Sequence, residues 1–282
     1  MTDLPTIAVT GSTGFVGGEV ARQLAISGVA QRLLVRDAGT APALDRAVPF
    51  SVSYSDRDAA LAALDGVDTL FMVSGRESAD RVADHFTFID AAAEAGVKHV
   101  IYTSFKGAAP DAVFTLGRDH HKTEQHIAKS GMGYTFLRDT LYADFLPLMA
   151  GPDGVIRGPA GDGRVAGVCR VDVARVAFHI IREPSQHRDE IYELTGPEAI
   201  SLAEAAAIIS AATDTAVSYV PETLEEAYVS RAVYEAPDWQ VDAWVSTYTA
   251  IAAGEMAEVT DDVERVTGTR AITLAEYLNS IA

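Results

Sequence analysis

The sequence predicts an α/β protein, a doubly wound parallel sheet followed by a smaller C-terminal α/β part. Three observations predict it. Short apolar runs alternate with helical runs through the first half of the chain. Several of those runs (Ile7-Ala-Val, Leu33-Leu-Val, Leu70-Phe-Met-Val) are continuously apolar rather than apolar at every second residue. A glycine-spaced turn joins the first run to the first helix. Strands covered on both faces by crossover helices read this way, whereas strands with one wet face alternate.

Taken in order, strands are predicted at Thr6–Thr10, Gln31–Val35, Phe50–Ser53, Thr69–Val73, His99–Thr103 and Tyr134–Leu137. Helices fall between them at Phe15–Ser27, Asp58–Leu64, Asp84–Ala95 and Asp119–Ser130, with glycine stop signals at Gly28, Gly66, Gly96 and Gly131. Strands and helices at this spacing imply right-handed crossovers. Glycine and proline then cluster between Pro147 and Gly167, which predicts loops. Beyond them Asp172–Arg182 reads as a helix and Ile191–Leu194 as a strand. Ser201–Ala212 is an alanine-rich helix on which Ser201 and Glu204 form a capping box. A strand at Tyr219–Val220, a helix from Thr223 and a long helix through Trp239–Ala253 follow.

The 282 residues include 22 basic and 40 acidic side chains, a formal charge of −18. Such an excess repels a phosphate backbone, so nucleic-acid binding through a basic face is excluded, and anionic membrane surfaces are disfavoured. No stretch approaches the ~18 apolar residues needed to span a bilayer. Met1-Thr-Asp-Leu-Pro-Thr leads into the first strand without a basic n-region, so a cytoplasmic protein is expected. Cys169 is the single cysteine, which excludes an intrachain disulfide and a cysteine-rich metal site. Nothing in the sequence fixes an oligomeric state. On so acidic a chain, an anionic ligand must be held by a local device.

Thr10-Gly11-Ser12-Thr13-Gly14-Phe15-Val16-Gly17 is such a device. Gly11 makes a tight turn, Gly14 lets backbone approach a pyrophosphate, and Gly17 lets the helix pack close to the sheet. The helix start offers free N–H groups and partial positive charge to a diphosphate. Thr10, Thr13, Phe15 and Val16 complete the predicted dinucleotide-binding turn of a Rossmann fold. The second strand ends in Arg36, which suits a ribose 2′-phosphate and predicts NADPH, with NADH possible. Ser74 and Gly75 after the fourth strand, and Thr103 and Ser104 after the fifth, are further cofactor-binding candidates. The predicted division is a nucleotide-binding domain over 1–140 and a substrate-binding part over 141–282, with about 170–196 returning to the sheet.

The GxxGxxG spacing resembles the short-chain dehydrogenase/reductase superfamily in its extended and atypical branches. That superfamily carries Tyr-x-x-x-Lys-x-x-x-Glu along one helix face. Reading backwards from Glu124 places His120 at the lysine position and Leu116 at the tyrosine position. Leucine cannot donate a proton, so a standard alcohol dehydrogenase mechanism is unsupported. His120 is left to hold the nicotinamide ribose. His120 and His121 are adjacent and diverge on a helix, so no metal site with His126 is expected.

The segments Val97–Ser104, His120–Glu124 and Ser130–Arg138, with Leu141–Phe145, Gly161–Arg164, Arg170–Ala174 and Tyr192–Gly196, resemble the NmrA-like atypical reductases. Within them the likeness is to bacterial type 2 quinone oxidoreductases and triphenylmethane reductase. The resemblance implies NADPH-dependent hydride transfer to a quinone or cationic aromatic acceptor, bound between the nucleotide domain and the C-terminal part. Such acceptors need no concerted proton donor, and solvent can supply a proton later. Phe105, Tyr142, Phe145 and Trp239 are candidate aromatic walls for a planar acceptor. One departure concerns the Gly-Asp pair that relatives carry after the third strand, where this chain has Ser53-Tyr54 and then Asp56. An NADP(H)-sensing regulator without turnover is the alternative. Epimerase chemistry is disfavoured, because it relies on the tyrosine that Leu116 replaces.

Overall fold

The computed structural model of the chain describes residues 4–213 and 215–281. β1 (Ile7–Thr10), α1 (Phe15–Ile26), β2 (Gln31–Val35), β3 (Ala47–Ser51), α2 (Arg57–Leu64), β4 (Thr69–Met72) and α3 (Arg81–Glu94) come first. β5 (His99–Phe105), α4 (Thr115–Lys129) and β6 (Gly133–Asp139) follow. A 3₁₀ run over Ala143–Met149 leads to β7 (Val155–Gly158), β8 (Arg164–Val165), α5 (Arg170–Arg182) and β9 (Glu190–Leu194). The chain continues through β10 (Ile200–Ser201), α6 (Leu202–Thr213), β11 (Ser218–Pro221), α7 (Leu224–Arg231), α8 (Asp238–Ala252), α9 (Asp262–Thr267) and α10 (Leu274–Ile281).

Seven strands form the main sheet in the order β3-β2-β1-β4-β5-β6-β9. The β1–β2, β1–β4, β2–β3 and β4–β5 pairs are parallel, and Val9 lies between Leu33 and Phe71. The order reverses at β1, so β1 and β4 flank a topological switch point. In such sheets ligands bind outside the carboxyl ends of the strands at that point. The continuous apolar runs are explained by burial on both faces: β2 and β4 are buried at every residue.

Two compact units emerge, neither continuous in sequence. The first comprises Met1–Ser104, His121–Arg138 and Val173–Tyr192. Its core joins Leu64, Leu70, Met72, Phe88, Tyr102 and Phe136. The second comprises Phe105–His120, Asp139–Asp172 and Glu193–Ala282. Its core joins Ile156, Leu202, Ile209, Tyr248, Ile251 and Leu274.

The stretch expected to be loops between Pro147 and Gly167 instead carries β7 and β8, which pair with β11 and β10. Strands of two to four residues are too short to show a period. Gly158 there serves close approach: a Cβ on it would lie 2.2 Å from the Tyr248 ring of α8. Helix α4 starts at Thr115, one turn before the expected Asp119, so Leu116 is helical. The expected Ser201–Glu204 capping box holds, with Glu204 N–H donating to Ser201 Oγ at 3.2 Å and Ser201 N–H donating to Glu204 Oε2 at 2.8 Å, and Thr223 with Glu226 forms a further one at α7.

Candidate functional site

The glycine turn has the geometry its spacing demands. Gly11 has φ +65, a left-handed conformation that side chains other than glycine rarely adopt. Gly14 N–H donates to Gly11 O at 2.9 Å and closes the turn. A Cβ on Gly17 would lie 2.5 Å from the carbonyl oxygens of Thr10 and Gly11, so only glycine lets α1 start there. Within 4 Å, a Cβ on Gly14 would meet only Gly11 O, at 3.3 Å, so that side of the turn is open. Gly14 is the N-cap of α1 and no side chain caps the helix start. Val16 is buried, while Thr13, Gly14 and Phe15 form an exposed rim. An open glycine face at an uncapped helix start fits a dinucleotide diphosphate. Ser12, absent from the sequence-derived candidates, has a buried Oγ with no hydrogen-bond partner inside this turn.

The loop after β4 is pinned from several sides within the first unit. Val73 N–H donates to Thr10 Oγ1 at 2.8 Å, and Tyr54 Oη donates to Val73 O at 2.6 Å. Since the tyrosine proton is committed, the 2.6 Å contact between Thr10 Oγ1 and Tyr54 Oη has Thr10 as donor, closing a ring. Ser74 N–H donates to Thr103 Oγ1 at 2.8 Å. Gly75 N–H donates to His85 Nε2 at 2.9 Å, and Arg81 Nε donates to Gly75 O at 3.0 Å. Burial, helped by the Arg81 charge, pulls the His85 imidazole down to about 3, so the ring is neutral. Because Nε2 accepts, Nδ1 carries the proton and donates to Thr123 Oγ1 at 3.0 Å.

Thr10, Ser74, Gly75 and Thr103 therefore shape one loop at the switch point. Tyr54 and His85, which pattern reading missed, hold it there. Tyr54 also accounts for the Ser53-Tyr54 departure: its ring stacks on Phe88, 4.4 Å between centroids. Asp56, the acidic residue beyond it, caps α2 by accepting from Ala59 N–H at 3.0 Å.

Leu116, His120 and Glu124 lie on one buried face of α4, with 7%, 6% and 2% exposure. Ser104 Oγ donates to Glu124 Oε1 at 2.6 Å. Arg138 clasps the same carboxylate, Nε to Oε1 at 2.9 Å and Nη2 to Oε2 at 2.7 Å. Ser104, a cofactor-binding candidate from the sequence, thus commits its hydroxyl proton to a carboxylate inside the first unit. The His120 ring lies 6.1 Å from that of Phe105, which packs 4.6 Å from Phe114.

Arg36 is exposed at the end of β2 and forms no ion pair with Asp37 among the described residues. The Asp37 carboxylate instead accepts from Gly39 N–H at 2.9 Å. Tyr142 is half-buried and donates its hydroxyl to Asp139 Oδ2 at 2.8 Å. Phe145 is 43% exposed and lies 5.3 Å beneath the Arg170 guanidinium. Trp239 is half-buried near the start of α8. Among the described residues no ring contact joins Phe105, Tyr142, Phe145 and Trp239 to one another. Nor do three His, Cys, Asp or Glu side chains converge as metal ligands would among those residues.

The sequence profile of the NmrA-like family matches residues 4–278. The chain belongs to the NmrA-like family. It is similar to the NAD(P)H azoreductase of Xenophilus azovorans, 36% identical over 281 residues and covering 98% of each chain. Among solved structures it resembles the NADPH-dependent quinone oxidoreductase of Escherichia coli complexed with NADPH, at TM-score 0.87 and 30% identity. That match covers 98% of this chain and 99% of the other. The triphenylmethane reductase of Citrobacter sp. complexed with NADP(H) matches at TM-score 0.86 and 28% identity, covering 98% and 100%. This NmrA-like chain thus shares its whole length with reductases. No helix among its described residues is long and apolar enough to cross a membrane.

Proposed function

We propose that the chain is an NADPH-dependent reductase that delivers hydride to a quinone or a related planar aromatic acceptor. The observation that carries this reading is the open Gly11–Gly14–Gly17 turn at the uncapped start of α1, in a chain whose full-length relatives are reductases. The same relatives weigh against a sensor without turnover. Residues 1–140 would hold the nucleotide and 141–282 the acceptor.

The turn and the α1 N–H groups bind the diphosphate, and Arg36 takes the 2′-phosphate. The Val73–Gly75 loop, fixed by Thr10, Thr103 and His85, flanks the nucleotide at the switch point, and His120 positions the nicotinamide ribose. A bound reduced nicotinamide supplies the hydride. For the hydride step the protein's share of the rate is then proximity and orientation. The decisive experiment follows NADPH oxidation with a panel of quinones, cationic dyes, azo dyes and aldehydes. Turnover of the planar acceptors without turnover of aldehydes is expected. Inertness to the entire panel despite tight NADPH binding would sink the reading.

Arg36→Ala is expected to weaken NADPH by about ten- to a hundredfold and NADH little, since a charge-assisted contact is worth about 1.5–3 kcal/mol. Dissociation constants for both cofactors decide this; an equal change in both removes Arg36 from the 2′-phosphate. His120→Ala is expected to raise the cofactor KM and leave kcat with a quinone nearly unchanged. Leu116→Tyr should add little quinone activity. A large fall in kcat for His120→Ala, with cofactor binding intact and an ionisation lost from the pH profile, would make His120 an acid–base catalyst instead.

A further inference from the structure

Asp139 closes β6 at the carboxyl end of the sheet and is 2% exposed. Four acidic side chains are buried among the described residues: Glu124, Asp139, Asp144 and Asp172. Three of them meet cationic or backbone donors. Glu124 has Arg138, and Asp144 accepts from Arg170 Nε at 2.6 Å and from Arg170 N–H at 3.1 Å. Asp172 accepts from Ile272 N–H at 2.9 Å. Asp139 differs. Its Oδ2 meets the Tyr142 hydroxyl at 2.8 Å, and its Oδ1 is buried with no hydrogen-bond partner. Lys106, whose N–H donates to Asp139 O at 2.8 Å, directs its ammonium to Glu193 and Glu258 instead.

A carboxylate so placed would be an uncompensated buried charge, which proteins avoid by keeping the proton. Burial raises Asp139 well above the ordinary carboxyl range, with the Tyr142 hydrogen bond opposing only in part. Burial, and then the neighbouring Asp139, raise the Tyr142 phenol likewise; Arg170 opposes and Asp144 adds to the rise. Two protons thus reside on one hydrogen-bonded pair. The bond can be made in either direction. When Asp139 donates to the phenol oxygen, the Tyr142 O–H is released to point elsewhere.

We propose that Tyr142 and Asp139 together form the proton donor for quinone reduction, Tyr142 touching the acceptor and Asp139 recharging it. This rests on the reductase reading above. Hydride accepted from a reduced nicotinamide leaves the quinone as a hydroquinone monoanion. The Tyr142 O–H bond then breaks as the acceptor O–H bond forms. The phenolate takes the Asp139 carboxyl proton, and water reprotonates the carboxylate. The sum is one hydride and one proton added to the quinone. A triphenylmethane carbocation differs in one respect: it becomes neutral on hydride addition and needs no proton.

That difference is the test. The full chain is assayed with NADPH against a benzoquinone and against malachite green, as wild type, Tyr142→Phe and Asp139→Asn. With the quinone, kcat should fall about a hundredfold in both variants, the scale of a lost general acid, with KM little changed. With the dye, which needs no proton, any fall in kcat should be at least about tenfold smaller than with the quinone. Equal loss for both acceptors, or loss for neither, overturns the proposal. A wild type inert to both acceptors would instead sink the reductase reading beneath it. Infrared spectroscopy gives a readout independent of turnover and of the Asp139 variant. The wild type at neutral pH should show a protonated-carboxyl stretch that shifts in Tyr142→Phe. Absence of that stretch overturns the proposal as well.

Discussion

Gly14→Val should abolish dinucleotide binding while leaving a folded protein. A Cβ at Gly14 meets only Gly11 O, at 3.3 Å, so the backbone needs to give by a few tenths of an ångström. The two γ-methyls, however, fill the open face that a diphosphate would occupy. Losing two charge-assisted phosphate contacts at about 1.5–3 kcal/mol each weakens binding by roughly a hundred- to ten-thousandfold. Gly17→Val is the informative partner. There a Cβ would lie 2.5 Å from three backbone atoms of Thr10 and Gly11, with no flexible neighbour to move. That variant should lose stability, and Gly14→Val should not. Fluorescence titration with NADPH and thermal melting of both proteins separate the effects. Near wild-type affinity in a folded Gly14→Val protein would remove the turn from the phosphate site.

The contrast between these two glycines marks how far sequence pattern reaches. Their spacing after β1 was legible because one short local motif encodes turn, approach and helix start together. The α4 register was legible for the same reason: Leu116, His120 and Glu124 are four residues apart on one helix. The support of the site was not. Tyr54 reaches Thr10 across 44 residues, and His85 reaches Thr123 across 38. Nothing periodic links such partners, and a lone tyrosine or histidine reads equally well as core. Arg138 lay within a recognised segment, yet its bidentate grip on Glu124 depends on where β6 emerges beside α4. Asp139 shows the same gap. Its chemistry follows from which donors are missing around it, a property of packing that no spacing encodes.

Arg138→Ala should therefore be among the most damaging changes outside the turn, and the damage should fall on stability. The Arg138 side chain is 20% exposed but its partner Glu124 is only 2% exposed. Removing the guanidinium leaves the Ser104 hydroxyl donating to a buried carboxylate that has lost its countercharge. Breaking a buried pair in this one-sided way costs about 3–5 kcal/mol. At roughly 2–4 °C per kcal/mol for chains of a few hundred residues, Tm should fall by about 6–20 °C. The orphaned charge, rather than lost packing, is the expected cause, and a second variant tests it. Glu124→Gln combined with Arg138→Ala removes the charge, while the amide carbonyl so introduced still accepts from Ser104. The double variant should melt well above Arg138→Ala alone. If both melt together at the lower temperature, the loss comes from the arginine's packing. If neither differs from wild type, the Glu124–Arg138 pair contributes nothing to the fold.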